Sequence, residues 1–209
     1  PAGIRSSFES SLERLGLDSI DILYIHDPDD YLDQAIGEAY PELERMRAEG
    51  LVKSIGVGTN LAEIGTRFVR ETDIDVALVA GRFTVLDQIA LDEFLPEAHR
   101  RGVSVLGAGV FNSGILVNPV EGATYNYAPA SPEILAKTRA IHEIVRNHGV
   151  PIEAVGLQFP LRHPATKAVL TGVRTAEELD TNVAAFDRDV PEALWEDLEN
   201  EGLVRPVEI

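Results

Sequence analysis

The sequence predicts an α/β fold of the (β/α)8 TIM-barrel type, and three observations carry that prediction. Five short apolar runs lack the polar alternation of a half-exposed strand, so each reads as a strand covered on both faces, as in a parallel sheet. Each run is followed by a segment whose apolar residues have helical spacing, the signature of repeated βα units. No Gly-x-Gly-x-x-Gly or phosphate-loop motif follows any strand, which disfavours an open dinucleotide-binding sheet and leaves the barrel. A complete barrel has eight strands. Residues 1–209 therefore read as a single domain holding about five of the eight, the C-terminal portion of a barrel. The first three βα units would precede Pro1, and the lack of an initiator methionine fits that expectation of a partial chain.

The elements follow in order. Phe8, Leu12 and Leu15 share one helical face in a segment that stops at Gly16, a favoured residue just past a helix end. Ile20–Ile25 is the first strand. A helix around residues 39–50 precedes the second strand, Val52–Val57, and residues 61–72 form the next helix. Val76–Ala80 is the third strand, with a helix over 91–102. Val103–Gly109 is the fourth, and a long polar loop leads from it to residue 131. There Ser131 suits an N-cap and Pro132 the first helical position. Ile134, Thr138, Ile141 and Val145 mark the inner face of that helix. A further helical stretch covers 152–162, Lys167–Gly172 is the fifth strand, and residues 175–186 and 191–202 are the closing helices.

With 44% hydrophobic and 25% charged residues, the composition is that of a globular chain with a real core. No apolar run approaches the roughly 18 residues of a membrane span, and Pro1–Ser11 contains no apolar signal core. Cysteine is absent, which excludes disulfides, thiolate metal sites and a cysteine nucleophile. A cytoplasmic location is the expectation. The net charge of −17 repels phosphate backbones, so neither nucleic acid nor an anionic membrane is an expected partner. The acids are spread along the chain and read as a solvated surface.

His26 is the most informative single residue, because it stands where the first strand breaks into the acidic turn Asp27, Asp29, Asp30. Side chains at the carboxyl ends of barrel strands face the active site. A histidine there can donate to an oxygen that is gaining negative charge, or orient a hydroxyl that is losing its proton. A histidine bonded to neighbouring backbone as a structural plug fits the position equally well. A metal-dependent hydrolase built on His26, Asp27 and Asp29 is disfavoured, since such sites gather several histidines at strand ends and Pro28 turns the acids away. No metal is expected. His99, His142 and His148 lie in helices toward their C-termini, His163 precedes Pro164 at a turn with access to solvent, and Trp195 reads as packing.

Five segments in series carry a family resemblance: residues 10–29, residues 43–60, Val85–Gln88, residues 100–116 and residues 168–186. Together they resemble the later part of an aldo-keto reductase, with similarity running from about Ile4 to Gly202. Residues 79–88 and 122–135 look most similar to the aldose dehydrogenase branch, which oxidises sugars such as L-fucose or D-arabinose at the anomeric carbon; pyridoxal-oxidising relatives are also similar. The resemblance implies a complete barrel with NAD or NADP across its carboxyl-terminal mouth, moving a hydride between nicotinamide and a carbonyl or alcohol carbon. The implied substrate is a small sugar or aldehyde. His26 matches the family's catalytic histidine. The family's Asp, Tyr and Lys lie on βα units that this sequence does not contain, and neither Tyr24 nor Tyr31 is a substitute.

The resemblance also implies a cofactor site. Phe111, Asn112, Ser113 and Gly114 match the loop that clamps the pyrophosphate, largely through backbone groups. Gly172 and Arg174 lie where the adenosine end is held, and Asn182 matches an asparagine that contacts adenine. Glu178 stands where NADP-preferring relatives carry arginine. A carboxylate there would repel a 2′-phosphate and accept from a free ribose hydroxyl, so NAD is favoured, although Arg174 keeps NADP open. Thr175 and Glu178 also form a Thr-x-x-Glu capping box that needs no ligand. Asn60 is the shifted counterpart of the family's amide-holding Ser–Asn pair, and Ala80 replaces a glutamine often found on the sixth strand. The alternative to an oxidoreductase is a non-catalytic nucleotide-binding or assembly subunit lacking the tyrosine. Oligomeric state is open.

Overall fold

The five apolar runs pair side by side in one parallel sheet, in the order in which they occur in the chain. The computed structural model describes residues 2–207. The chain runs α1 (Ala2–Leu15), β1 (Ile22–His26), a helical passage made of α2 (Leu32–Gln34), a π turn (Ala35–Ala39) and α3 (Tyr40–Ala48), then β2 (Ser54–Thr59) and α4 (Ala62–Glu71). It continues through β3 (Val76–Ala80), α5 (Phe94–Arg101), β4 (Ser104–Ala108), a small hairpin of β5 (Thr124–Tyr125) and β6 (Ala128–Pro129), α6 (Pro132–Asn147) and α7 (Ile152–Gln158). The remaining elements are β7 (Thr166–Leu170), α8 (Ala176–Phe186) and α9 (Glu192–Asn200). The sheet order β1-β2-β3-β4-β7 contains no reversal. That is the order expected of consecutive barrel strands, whereas a doubly wound sheet reverses at a switch point.

Register explains why the strands alternate so little. Ile25 pairs with Val57 and Val57 with Ala77, and all three point to the helical layer. The opposite face carries Tyr24, His26, Gly56 and Gly58. Gly56 is required by close approach: a Cβ there would stand 2.0 Å from the carbonyl oxygen of Val76 on the adjacent strand. The expectation of strands covered on both faces holds for β2, whose residues Ile55–Thr59 are all buried, but not for the edge strands. On β1 and β7, Ile22 and Leu170 are 40% and 54% exposed.

The principal core lies between the sheet and α4–α9, and a second cluster under α1 and α3 gathers Phe8, Leu43, Met46, Val52 and Ile55. Burying side chains of this size contributes about 1.5–3 kcal/mol each before entropy is counted. The carboxylate of Glu42 is buried between these two helices and accepts from both Arg5 and Arg45. Pairing with Arg5, then Arg45, holds its carboxyl below the usual carboxylate range and ties α1 to α3.

Helix ends follow their sequence signals. Ser131 accepts from the backbone N–H of Ile134 at 3.4 Å, and Thr138, Ile141 and Val145 are buried as their spacing implies. Gly102, at φ 71°, ends α5 in the left-handed conformation that favours glycine. Trp195 packs against Phe159 and beneath the Arg162 guanidinium. His163 departs from expectation. The turn before Pro164 is roofed by Phe83 and His99, so the ring is 2% exposed and does not reach solvent.

Candidate active site

All five sheet strands are parallel, so their carboxyl ends open on one edge of the sheet, and the candidate residues gather there. His26 is the last residue of β1, its side chain 79% exposed. It pairs in register with Gly58, and a Cβ at Gly58 would lie 3.4 Å from its Cδ2. Glycine on β2 thus leaves the imidazole room to lie over the neighbouring strand. Its Nε2 is 3.6 Å from Asp27, which has φ 45° and turns the chain sharply away from the strand. No backbone plug holds the ring among the described residues. Tyr24 lies two residues deeper on the same face, its hydroxyl buried without a partner among the described residues and its pKa raised by desolvation. That shift is opposite to what a proton-transferring tyrosine requires. Among the described residues no group of three or more acidic or histidine side chains could hold a metal ion.

The loop after β4 reverses tightly. Asn112, Ser113 and Gly114 have φ of 47°, 61° and 90°, a run of left-handed residues that turns the chain back across the sheet edge. Ser113 and Gly114 face a cleft of about 860 Å³ that extends past Phe111 to Gly172, Arg174, Glu178 and Asn182. Eight of the ten site residues read from the sequence therefore fall into two groups along one edge, His26 at one end and these seven at the other. The donors of the cleft include the Ser113 hydroxyl, the Arg174 guanidinium and the Asn182 amide, while Glu153, Glu177 and Glu178 line its acidic part.

The α8 terminus differs from the simple capping box. Thr175 Oγ accepts from the N–H of Glu178 at 3.1 Å as expected, but the Glu178 carboxylate accepts from the N–H of Arg174 at 2.8 Å instead of that of Thr175. It also accepts from the Arg174 guanidinium at 2.7 and 3.1 Å. Pairing with Arg174 holds the Glu178 carboxyl below its usual value.

Asn60 and Asn112 part company with the rest. They line a separate, small cavity of about 70 Å³ between the carboxyl ends of β2, β3 and β4, together with Ala80, Gly81, Arg82 and Asn126. Asn112 is buried and borders this small cavity, whereas its neighbour Ser113 borders both the cavity and the large cleft. The tip of the β5–β6 hairpin roofs this cavity through Asn126 and Tyr127, whose φ values of 50° and 65° mark a two-residue left-handed turn. Arg82 and Asp87 anchor the roof. Arg82 Nε donates to the Asn60 carbonyl at 2.7 Å and its Nη1 to Asp87 at 3.1 Å, while the Tyr125 hydroxyl donates to Asp87 at 3.2 Å. Burial, and then the Asp87 charge, push the Tyr125 pKa up to about 12, so the phenol stays a donor. Sequence reading missed Arg82, Asp87, Tyr125 and Asn126 as parts of a site. The available signal was a pair of charges, Arg82 and Asp87, set among apolar residues just after a buried strand.

Comparison with known proteins identifies the family and the fold. The model of the aldo/keto reductase family matches residues 1–200. The chain is 40% identical to the pyridoxal 4-dehydrogenase of Microbacterium luteolum and 41% identical to the D-threo-aldose 1-dehydrogenase of a Pseudomonas species, covering 97% of this chain and 62% of each relative. It thus spans about three fifths of the length of these curated relatives. Among solved structures, an aldo-keto reductase from Bacillus halodurans in its holo form superimposes with a TM-score of 0.78 at 21% identity, covering 98% of this chain and 67% of that one. A glycerol dehydrogenase from Gluconobacter oxydans gives 0.72 at 20% identity, with 100% and 67% covered. The five-stranded parallel sheet is part of an α/β barrel, and the chain belongs to the aldo/keto reductase family.

Proposed function

We propose that the protein is an NAD(P)-linked oxidoreductase acting on an aldose or aldehyde, with this chain supplying the cofactor-binding side of the barrel mouth and one catalytic group, His26. The observation that carries the reading is the continuous cleft from Phe111 through Gly114 to Asn182, on the strand edge that also presents His26. Its residues suit a dinucleotide. Ser113 and Gly114 form the end that tolerates phosphate charge, whereas Glu177 and Glu178, the latter already engaging Arg174, favour hydroxyl donors over phosphates. NAD is therefore the preferred cofactor. When bound, a nicotinamide cofactor supplies the hydride acceptor or donor that the side chains of this protein lack.

The role of His26 follows from its position. An exposed imidazole at the mouth can hydrogen-bond a carbonyl or hydroxyl oxygen and fix which face of that carbon is presented. The relatives act on D-threo-aldoses and on pyridoxal by their names, and both substrate types carry an oxygen of this kind. The test is to incubate the protein with NAD or NADP and either L-fucose or pyridoxal, following absorbance of the reduced cofactor. Turnover with one of these pairs supports the proposal; no reduction with any of them, together with no measurable binding of NAD or NADH, overturns it.

A further inference from the structure

We infer that His142, on the outer helix α6, is a positioning residue for the cofactor, acting through the Leu116 carbonyl to set the loop that borders the large cleft. This rests on the cofactor reading above and deepens it. The loop needs holding. Asn112, Ser113 and Gly114 stand in succession at φ 47°, 61° and 90°. Left-handed backbone at two residues other than glycine persists only where the surrounding contacts over-determine it. The loop's own hydrogen bonds are local: the N–H groups of Gly114 and Leu116 both donate to the Phe111 carbonyl, at 2.9 and 3.2 Å. The polar contact that reaches Leu116 from outside the loop is the half-buried His142, whose Nε2 lies 2.6 Å from the Leu116 carbonyl oxygen. A carbonyl oxygen only accepts, so Nε2 carries the hydrogen, and both the neutral and the protonated ring can make this bond. Among the described residues no backbone N–H donates to that oxygen.

The bond is relayed to the cleft in two steps. Leu116 passes it to Phe111 through its own N–H, and Phe111 opens the run whose Ser113 and Gly114 border the cleft. The side chains of Leu116 and Phe111 are also seated on α7. A Cβ on Gly156 would stand 2.8 Å from Leu116 Cδ2 and 3.2 Å from the Phe111 ring, and Leu116 is wholly buried. Apolar seating fixes how deep the loop lies, but burial is not directional and resists rotation weakly. A short hydrogen bond is directional, so it sets the rotation of the Leu116 peptide. One turn earlier on α6, Arg139 Nε donates to the Pro119 carbonyl at 3.3 Å, but that contact is exposed and lies beyond the cleft residues Val117 and Asn118. His142 is therefore the side chain that decides how Ser113 and Gly114 meet a bound phosphate.

Binding separates positioning from mere support. NADH is titrated directly, and ADP-ribose and adenosine by displacement of NADH. ADP-ribose spans the phosphate end of the cleft, whereas adenosine engages the α8 end alone. The proteins are the wild type, His142→Leu, which fills the site without a donor, and His142→Gln, which keeps a side-chain N–H. His142→Leu should weaken NADH and ADP-ribose about tenfold, the scale of a buried acceptor left unpaired. Adenosine should stay within about twofold, and His142→Gln should bring NADH back to within about threefold of wild type. The ring borders an open groove shared with Val145 and Arg146, so replacing it seals no cavity. Melting temperatures should therefore fall by no more than about 3 °C. Should His142→Leu not fold, His142→Ala gives the same comparison. Unchanged NADH affinity in the variant without a donor, parallel weakening of adenosine, or a glutamine no better than leucine would each overturn the assignment while the cofactor reading stands. If the wild type binds neither NADH nor ADP-ribose, the cofactor reading fails and this assignment with it.

Discussion

Arg174 and Glu178 neutralise one another across the first turn of α8. The guanidinium donates to one carboxylate oxygen at 2.7 and 3.1 Å, and the Arg174 backbone N–H donates to the other at 2.8 Å. The Arg174 side chain is 89% exposed, so the pair itself adds little to stability. What it does is occupy the guanidinium that, among the described residues, lines the cleft. Changing Glu178 to Gln should release Arg174 and remove a like charge from the path of a ribose 2′-phosphate. The ratio of NADP to NAD affinity is expected to rise by about tenfold, equivalent to roughly 1.4 kcal/mol. Titration of both cofactors checks this, and an unchanged ratio would show that the phosphate, if bound, lies elsewhere.

Exposure separates a catalytic His26 from a structural one. Its side chain is 79% exposed and, among the described residues, its one acidic neighbour within 4 Å is Asp27, so replacing it removes almost no packing. His26→Ala should leave the melting temperature within about 2 °C of wild type, as surface substitutions do. Turnover should fall by about 10²-fold or more, the usual contribution of one positioned donor, while NADH affinity holds. A loss of NADH affinity comparable to the loss of turnover would make His26 a cofactor contact instead.

The two strand glycines beside β1 predict opposite tolerances. At Gly56 a Cβ meets the Val76 carbonyl oxygen at 2.0 Å, and backbone in a central strand cannot withdraw. Gly56→Ala should destabilise by several kcal/mol or prevent folding, in the range reserved for overpacked sites. At Gly58 the nearest atom is Cδ2 of an exposed histidine at 3.4 Å, an ordinary contact. Gly58→Ala should fold, cost less than about 1 kcal/mol in denaturant titration, and reveal itself through altered turnover by crowding His26.

What could be read from the sequence was what local pattern decides. Strand runs such as Val76–Ala80 coincide with the structure because five consecutive apolar residues between two helices have few other uses. The first strand was read as Ile20–Ile25, starting two residues and ending one residue before the observed β1, and the difference matters, since the observed β1 includes His26. Features set by distant contacts were not legible. The β5–β6 hairpin has strands of two residues and no glycine in its turn, so it offers neither alternation nor a turn signature. The loop after β4 was visible as a candidate cofactor loop, but not that Asn112 is buried while Ser113 borders the cleft. That difference follows a left-handed backbone which no local spacing encodes. Likewise, Arg82 and Asp87 became site residues only when the fold brought Asn60 and Tyr125 to them.

His163 makes stability depend on pH in a defined window. The ring is 2% exposed, edge-on to Phe83 and to His99, and its Nδ1 accepts from the N–H of Ala165 at 3.2 Å, which requires the neutral form. Burial, and then the nearby His99, depress its pKa to about 4 from the model-peptide value of 6.5. Between these two values the unfolded chain binds a proton at this position and the folded chain does not, so protons favour unfolding. The contribution is fully present above pH 6.5 and is lost progressively as pH falls toward 4, up to about 3 kcal/mol. Acidic groups also titrate toward the bottom of that window, so the comparison must be between variants. His163→Phe removes the titrating group while keeping a ring of similar size against Phe83. Urea midpoints measured from pH 7.5 down to 4.5 should fall more steeply for the wild type than for His163→Phe, with the divergence beginning near pH 6.5. Parallel curves would mean that the ring takes up a proton in the folded state without penalty, and that the contact with His99 opens in solution.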